Sequence, residues 1–335
     1  MIKRILIAGA LCFSLDVGAQ TARTKRDDVA RWMKELSNWG RWGKEDQLGA
    51  VNLITPAKRR QAAALVKEGV SISLSRVIEK EEAIDNPRPF GHVMMTRPGK
   101  NPGETSLFNR MDDHVGAIGD VYTVSYHGYA FTHLDSLCHM QYDGRMYNGF
   151  PDSEISARGA GKLAVSNFSN GLFTRGVLID IPELRGVPYL EPGAAVFPED
   201  LDAWERKTGL KVTSGDAVLV RTGRAVRREA KGPWDPREIS AGLHASCAPW
   251  LRARDAAILG SDSANDVKPS GVDGVFNPIH QLTLVAMGMV LLDNCELEKL
   301  AEHARARRRW DFLVTAAPLV VPGGTGSPLN PIATF

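Results

Sequence analysis

The stretch Tyr126-His127-Gly128-Tyr129-Ala130-Phe131-Thr132-His133-Leu134-Asp135-Ser136-Leu137-Cys138-His139 carries three of the chain's 8 histidines and one aspartate. If the chain is extended around His133, a period of two places His133 and Asp135 on one face, where an imidazole nitrogen and a carboxylate can converge on one cation. Asp135 has two oxygens and can bridge two ions. His139 lies just beyond, where a turn of the chain would aim a second imidazole at water next to the metal. A lone histidine is most often a hydrogen-bonded structural residue; this clustering favours chemistry.

Working outward, the segment sits in an α/β pattern. Strands are expected at 70–78, 121–126, 176–181, 217–221, 256–259 and 312–315, and helices at 27–36, 56–66, 198–207, 245–254, 279–287 and 296–305. Thr55 followed by Pro56 reads as a helix start, and Gly69, Gly209 and Gly288 read as stops. Residues 85–119, rich in Pro, Gly, Asn and Asp and including His92 and His114, read as one long functional loop. No internal repeat or composition shift divides the chain after residue 28, so 28–335 is expected to be one domain.

The 335 residues are 43% hydrophobic and 24% charged, the composition of a globular protein, with 32 glycines and 19 prolines marking many turns. Lys+Arg 41 against Asp+Glu 39 leaves a net charge of +2, which removes the electrostatic argument for a nucleic-acid partner and leaves a small-molecule substrate as the default. Lys3 and Arg4, the apolar run 5–15 and the small residues Val17-Gly18-Ala19 read as an export signal over 1–19, which predicts a periplasmic or secreted product. Leu11 before Cys12 argues against a lipid anchor, and no later run is long enough to span a bilayer. Cys138, Cys247 and Cys295 form no disulfide or zinc-finger spacing.

The run Thr132-His133-Leu134-Asp135-Ser136-Leu137-Cys138-His139 resembles the Thr-His-x-Asp-x-x-x-His signature of the cyclase family that includes bacterial kynurenine formamidase and isatin hydrolase. Similarity extends from about Trp42 to the C-terminus, through Leu219-Val220-Arg221-Thr222-Gly223, Ile258-Leu259-Gly260-Ser261-Asp262, Pro278-Ile279-His280 and Leu291-Leu292-Asp293-Asn294. It is strongest to a longer branch in which the motif reads His-Gly-x-Ala-Phe-Thr-His-x-Asp. The resemblance implies a swivelling β/β/α-type single domain, usually oligomeric, and metal-dependent hydrolysis of a carbon–nitrogen bond in a small aromatic amide or lactam. Through the arylformamidases it also implies a place in tryptophan catabolism.

Carried over by position, His133 and His280 match metal ligands, Asp135 the bridging carboxylate, Asp293 a bridging position usually filled by Glu, and His139 the proton carrier. Zn²⁺ or Mn²⁺, one ion or two, suits the mixed N/O set. The family's first ligand, four residues before the second, should be His, and Tyr129 stands there; a neutral phenol is a poor ligand. Three outcomes stay open: His127 swings in through a bulge between Gly128 and Phe131, one ion binds where the family binds two, or the metal is lost. Two nitrogens and two carboxylates favour a retained metal. The rivals are a metal-free periplasmic binding protein and a lactonase or lyase.

Trp42, Tyr129 and His244 are the candidates for substrate contact, with a core tryptophan and a satisfied structural histidine as the bland readings. Asp262, after a buried strand, is either an active-site group or a turn cap. Gly323-Gly324-Thr325-Gly326 lacks the Lys of a phosphate loop. No Gly-x-Ser-x-Gly elbow is present, and Cys138 and His139, adjacent on an extended segment, point apart and make a poor nucleophile–base pair.

Overall fold

Nine strands hydrogen-bond into one mixed sheet in a computed structural model that describes residues 24–95 and 119–335. They are β1 (Ser71–Ser73), β2 (His133–Asp135), β3 (Leu172–Asp180), β4 (Ala217–Arg221), β5 (Ile258–Ser261), β6 (Val290–Asp293), β7 (Asp311–Ala316), β8 (Gly326–Pro328) and β9 (Ile332–Thr334). Their spatial order is β1-β9-β7-β3-β4-β5-β6-β2-β8. The β3-β4-β5-β6 block is parallel, and every other pairing is antiparallel.

The parallel block reads as continuous Val, Ile and Leu because it is buried on both faces. Val177, Leu178, Ile179, Val218, Leu219, Val220, Ile258, Leu259, Val290, Leu291 and Leu292 are all at most 2% exposed. Helix α1 (Arg26–Glu35), α2 (Pro56–Ala63), α3 (Ile181–Arg185), α4 (Pro198–Thr208), α5 (Arg224–Lys231), α6 (Cys247–Ala253), α7 (Pro278–His280) and α8 (Glu298–Arg307) surround the sheet, with α2 and α4 packed against β3. Thr55 caps α2 by accepting from Lys58 N at 3.2 Å, and Trp204 on α4 donates its indole N–H to the Leu178 carbonyl at 2.9 Å.

Helix α7 runs on into a π-helical turn, Gln281–Met287, that ends at Gly288 in the left-handed region (φ 62°). The chain entering after α1 covers that end: Asn38 N, the Asn38 side-chain amide and the Trp39 indole donate to the carbonyls of Ala286, Met287 and Val285. These carbonyls lack intrahelical partners, so the pairing holds the entry segment down.

The mixed α/β single domain expected from the sequence is present, with differences in detail. Of the 70–78 run only Ser71–Ser73 forms a strand, with Ser75 adding an isolated antiparallel bridge to Cys295, α2 stops at Ala63, and the strongly basic α5 and the short strands β8 and β9 carried no readable pattern. The 85–119 segment is not wholly irregular: Gly91–Met95 pairs antiparallel with Gly119–Thr123. The export signal and His114 lie outside the described residues.

Candidate metal centre

The site forms where β2 is clamped between β6 and β8. Antiparallel register sets Asp293 opposite His133 and Leu291 opposite Asp135. Directly opposed residues project to the same side, and so do i and i+2 on one strand, so His133, Asp135 and Asp293 share one face. All three are at most 2% exposed. Asp is shorter than Glu by one methylene, and direct strand pairing supplies the closeness that the shorter side chain needs.

His280 arrives from α7. Its Nδ1–H donates to Asp266 at 2.5 Å, and Asp266 also accepts from the backbone N–H groups of Ile279 and His280. The ring is thereby locked with Nε2 facing Asp135 and Asp293, at 3.6 and 3.4 Å. His133 is oriented the same way: Nδ1–H donates to the Phe131 carbonyl at 2.8 Å, and Nε2 lies 3.4 Å from Asp135. Such an outer partner fixes the tautomer and leaves the other nitrogen's lone pair free for a cation.

His127 joins through a turn over residues 127–130 in which Gly128 adopts φ +135°, a conformation that a side chain would strain. Its Nδ1 lies 2.9 Å from Asp135 Oδ1 and its Nε2 2.9 Å from the Thr325 hydroxyl. His139 stacks on His127, ring centroids 3.9 Å apart and planes 7° apart, with Nε2 3.9 Å from Asp135 Oδ2. Four imidazoles therefore surround one carboxylate. Two overlapping groups of ligand-type residues share it: His127, Asp135 and His139, and His133, Asp135 and Asp293.

Electrostatics reflect this crowding. Burial would raise the Asp135 carboxyl, yet the surrounding histidines hold it well below the usual carboxylate range. Burial opposes charge on His133, but Asp135 and Asp293 push its pKa up to about 9, and His280 is raised for the same reason. Burial dominates at His139 and pushes it down to about 4. Among the described residues neither buried Asp135 oxygen accepts a well-aligned hydrogen bond, a costly state for a carboxylate that a cation would relieve. The donor set fits a divalent ion.

A cavity of about 370 Å³ opens over the cluster, walled also by Tyr129, Arg237, Glu238, Lys268, Phe276 and Asn277. The chain matches the family described as "Putative cyclase" over residues 51–265, nearly two thirds of its length. The chain belongs to the cyclase family.

A crystal structure described as a novel cyclase is 30% identical to this cyclase-family chain, covering 89% of it and 99% of that chain with a TM-score of 0.78. Isatin hydrolase A from Ralstonia solanacearum shares the fold at 19% identity, covering 79% of this chain and 91% of its own, with a TM-score of 0.53. Isatin hydrolase A from Labrenzia aggregata, bound to benzyl benzoate, does so at 17% identity, covering 81% and 94%, with a TM-score of 0.52. No curated protein sequence matches.

Within this cyclase-family site, Tyr129 lines the cavity, and among the described residues its hydroxyl makes no hydrogen bond; its carbonyl is held by Arg224 at 2.8 Å and Arg76 at 3.1 Å. Trp42 and His244, expected at the substrate, do not line this cavity. Trp42 lies half-buried with the Arg41 guanidinium 4.8 Å from its ring centre, and His244 packs on Phe197 and bonds Ser246.

Asp262 is a cap: its carboxylate accepts from the backbone of Thr222, Gly223 and Arg224 where α5 begins. The chain after β5 still serves the site, four residues later, through Asp266 on His280 and through Asn265, whose amide donates to Asp293 at 2.5 Å. An Asn-Asp pair just past a buried strand was the signal that could have found them. The glycine run is structural: at Gly326 an added Cβ would crowd the Leu134 carbonyl and come within 3.1 Å of His127 and 3.2 Å of Tyr126. Cys138 is buried, and burial pushes its thiol up to about 11, which disfavours a nucleophilic thiolate.

Proposed function

We propose that this cyclase-family protein is a metal-dependent hydrolase that cleaves a carbon–nitrogen bond of a small aromatic amide or lactam. The observation that carries the reading is the Asp135 carboxylate, buried, with neither oxygen accepting a well-aligned hydrogen bond among the described residues and with four imidazoles 2.9 to 3.9 Å away. His133, His280, Asp135, Asp293 and His127 would hold the ion, Zn²⁺ or Mn²⁺. When bound, a divalent ion supplies positive charge that polarises a carbonyl and acidifies water.

The protein's own groups do the rest. Asp266, Asn265, Thr325 and the Phe131 carbonyl hold the ligand side chains in their working orientations, so little reorganisation accompanies binding. His139 reaches the cavity with its side chain about a quarter exposed, against 1% for His133 and 5% for His280. His127 is as exposed, but its two nitrogens face Asp135 and the Thr325 hydroxyl, so His139 is the imidazole placed to take a proton from attacking water and return it to the leaving nitrogen. Tyr129 and Phe276 offer apolar ring faces for an aromatic substrate.

Metal analysis of protein purified without chelator tests the reading. About one equivalent or more of metal is expected, falling below about a tenth in a folded Asp135→Asn variant, together with cleavage of N-formyl anilines or isatins by the loaded protein. Unchanged metal in the variant places the site wrongly. A metal-poor protein that stays inactive after Zn²⁺ or Mn²⁺ is restored is a binding protein, and one that opens only lactones is a lactonase.

A further inference from the structure

Lys268 is a buried cation that no carboxylate touches: Asp266, Glu238, Asp235 and Asp293 act on it only from a distance. Only 7% of the residue is exposed, and among the described residues its ammonium makes no hydrogen bond and no ion pair with a carboxylate. The nearest favourable contacts are two aromatic rings, Phe276 with its centre 4.2 Å from Nζ and Tyr129 with its centre 5.2 Å away. Ring faces compensate a desolvated ammonium only in part.

The position is not a matter of a loose side chain. The Lys268 backbone pairs with Ser240 in both directions, N to O at 2.9 Å and O to N at 3.1 Å, and the preceding Val267 N–H bonds Leu243. This frame aims the side chain into the cavity whose floor holds His133, Asp135, His280 and Asp293. Arg237 shares the same wall but is held by the Asp235 carboxylate, at 2.6 and 2.8 Å, so Lys268 is the cation of that wall left without a carboxylate contact among the described residues. Lys268 and Phe276 also line an adjoining cavity of about 890 Å³, which leaves room for a ligand to extend past the cluster.

We infer that Lys268 is the specificity-determining residue of this site, and that the substrate is an aromatic compound bearing a carboxylate, seated with its ring along Tyr129 and Phe276 and its carboxylate on the Lys268 ammonium. The inference deepens the amide-hydrolase reading and rests on it for the reaction, but the recognition itself needs no turnover. A charge-assisted hydrogen bond in a partly dry cavity accounts for a preference of about tenfold or more over a neutral isostere.

Titration calorimetry on the full chain with benzoate and with its uncharged isostere acetophenone tests this. The wild-type protein should bind benzoate at least about tenfold more tightly. Lys268→Met keeps the apolar stem between the two rings and should bind both probes within about twofold, while Lys268→Arg should keep part of the preference. Circular dichroism and melting establish that the variants are folded, and Lys268→Gln provides a second neutral variant should the first not fold. Absence of a preference in the wild-type protein overturns the assignment. So does a preference that survives in the neutral variants, which would put the anion on Arg237 or on a bound metal. Neither probe contains a carbon–nitrogen bond, so binding is read without turnover, and failure to cleave amides sinks the hydrolase reading alone.

Discussion

At the scale of single residues, the site divides its histidines by what their second nitrogen does. His133 and His280 each spend one N–H on a fixed acceptor and turn a lone pair toward Asp135, the arrangement of a ligand. Among the described residues no such acceptor orients His139, which stacks on His127 instead. His139→Asn should therefore leave metal largely bound while turnover falls by about 10² to 10⁴, or roughly 3 to 5 kcal/mol in the barrier. Metal content, melting temperature and kcat measured on one preparation check this. A variant that loses its metal would make His139 a ligand, as its grouping with His127 and Asp135 allows, and one whose activity falls only with its folded fraction would make it structural.

At the scale of elements, the centre depends on strand pairing more than on any motif. β2 is three residues long and contributes two candidate ligands, while its neighbour β6 contributes the third through register. β8 closes the other edge of β2, with Gly326 opposite Asp135, and brings Thr325 to His127. A methyl group at Gly326 would press on the Leu134 carbonyl and on His127 together, so β8 would have to move away. Gly326→Ala is expected to cost about 2 kcal/mol or more in stability. It should also weaken metal binding, because His127 loses its anchor. Denaturation midpoints and metal titration test both effects, and a variant with lower stability but unchanged metal affinity would show that His127 is not held by this contact.

At the scale of the whole molecule, export is proposed from the basic, apolar and small-residue order of 1–19, and intact-mass measurement of natively expressed protein should find a chain starting near Gln20. Retention of Met1 would defeat it. Among the described residues no helix is long and apolar enough to cross a membrane. Much of the architecture was legible beforehand, since Ala217–Arg221 is a strand at its expected bounds and Pro198–Thr208 a helix within one residue, both being long-period signals carried by local side chains. His133, Asp135 and His139 were legible too, because ligand spacing on one strand and the turn after it is a local property. The rest was not, because it depends on long-range partners: Asp293 meets His133 through register 160 residues away, and Asp266 locks His280 across a turn with no pattern. The same holds for Tyr129. By itself the sequence determined that a histidine was missing from the expected position and that His127 stood nearby. Only the tertiary structure decided between the two, because the turn at Gly128 swings His127 onto Asp135, whereas the Tyr129 carbonyl is tied to Arg224 and Arg76 and its phenol is left to wall the cavity.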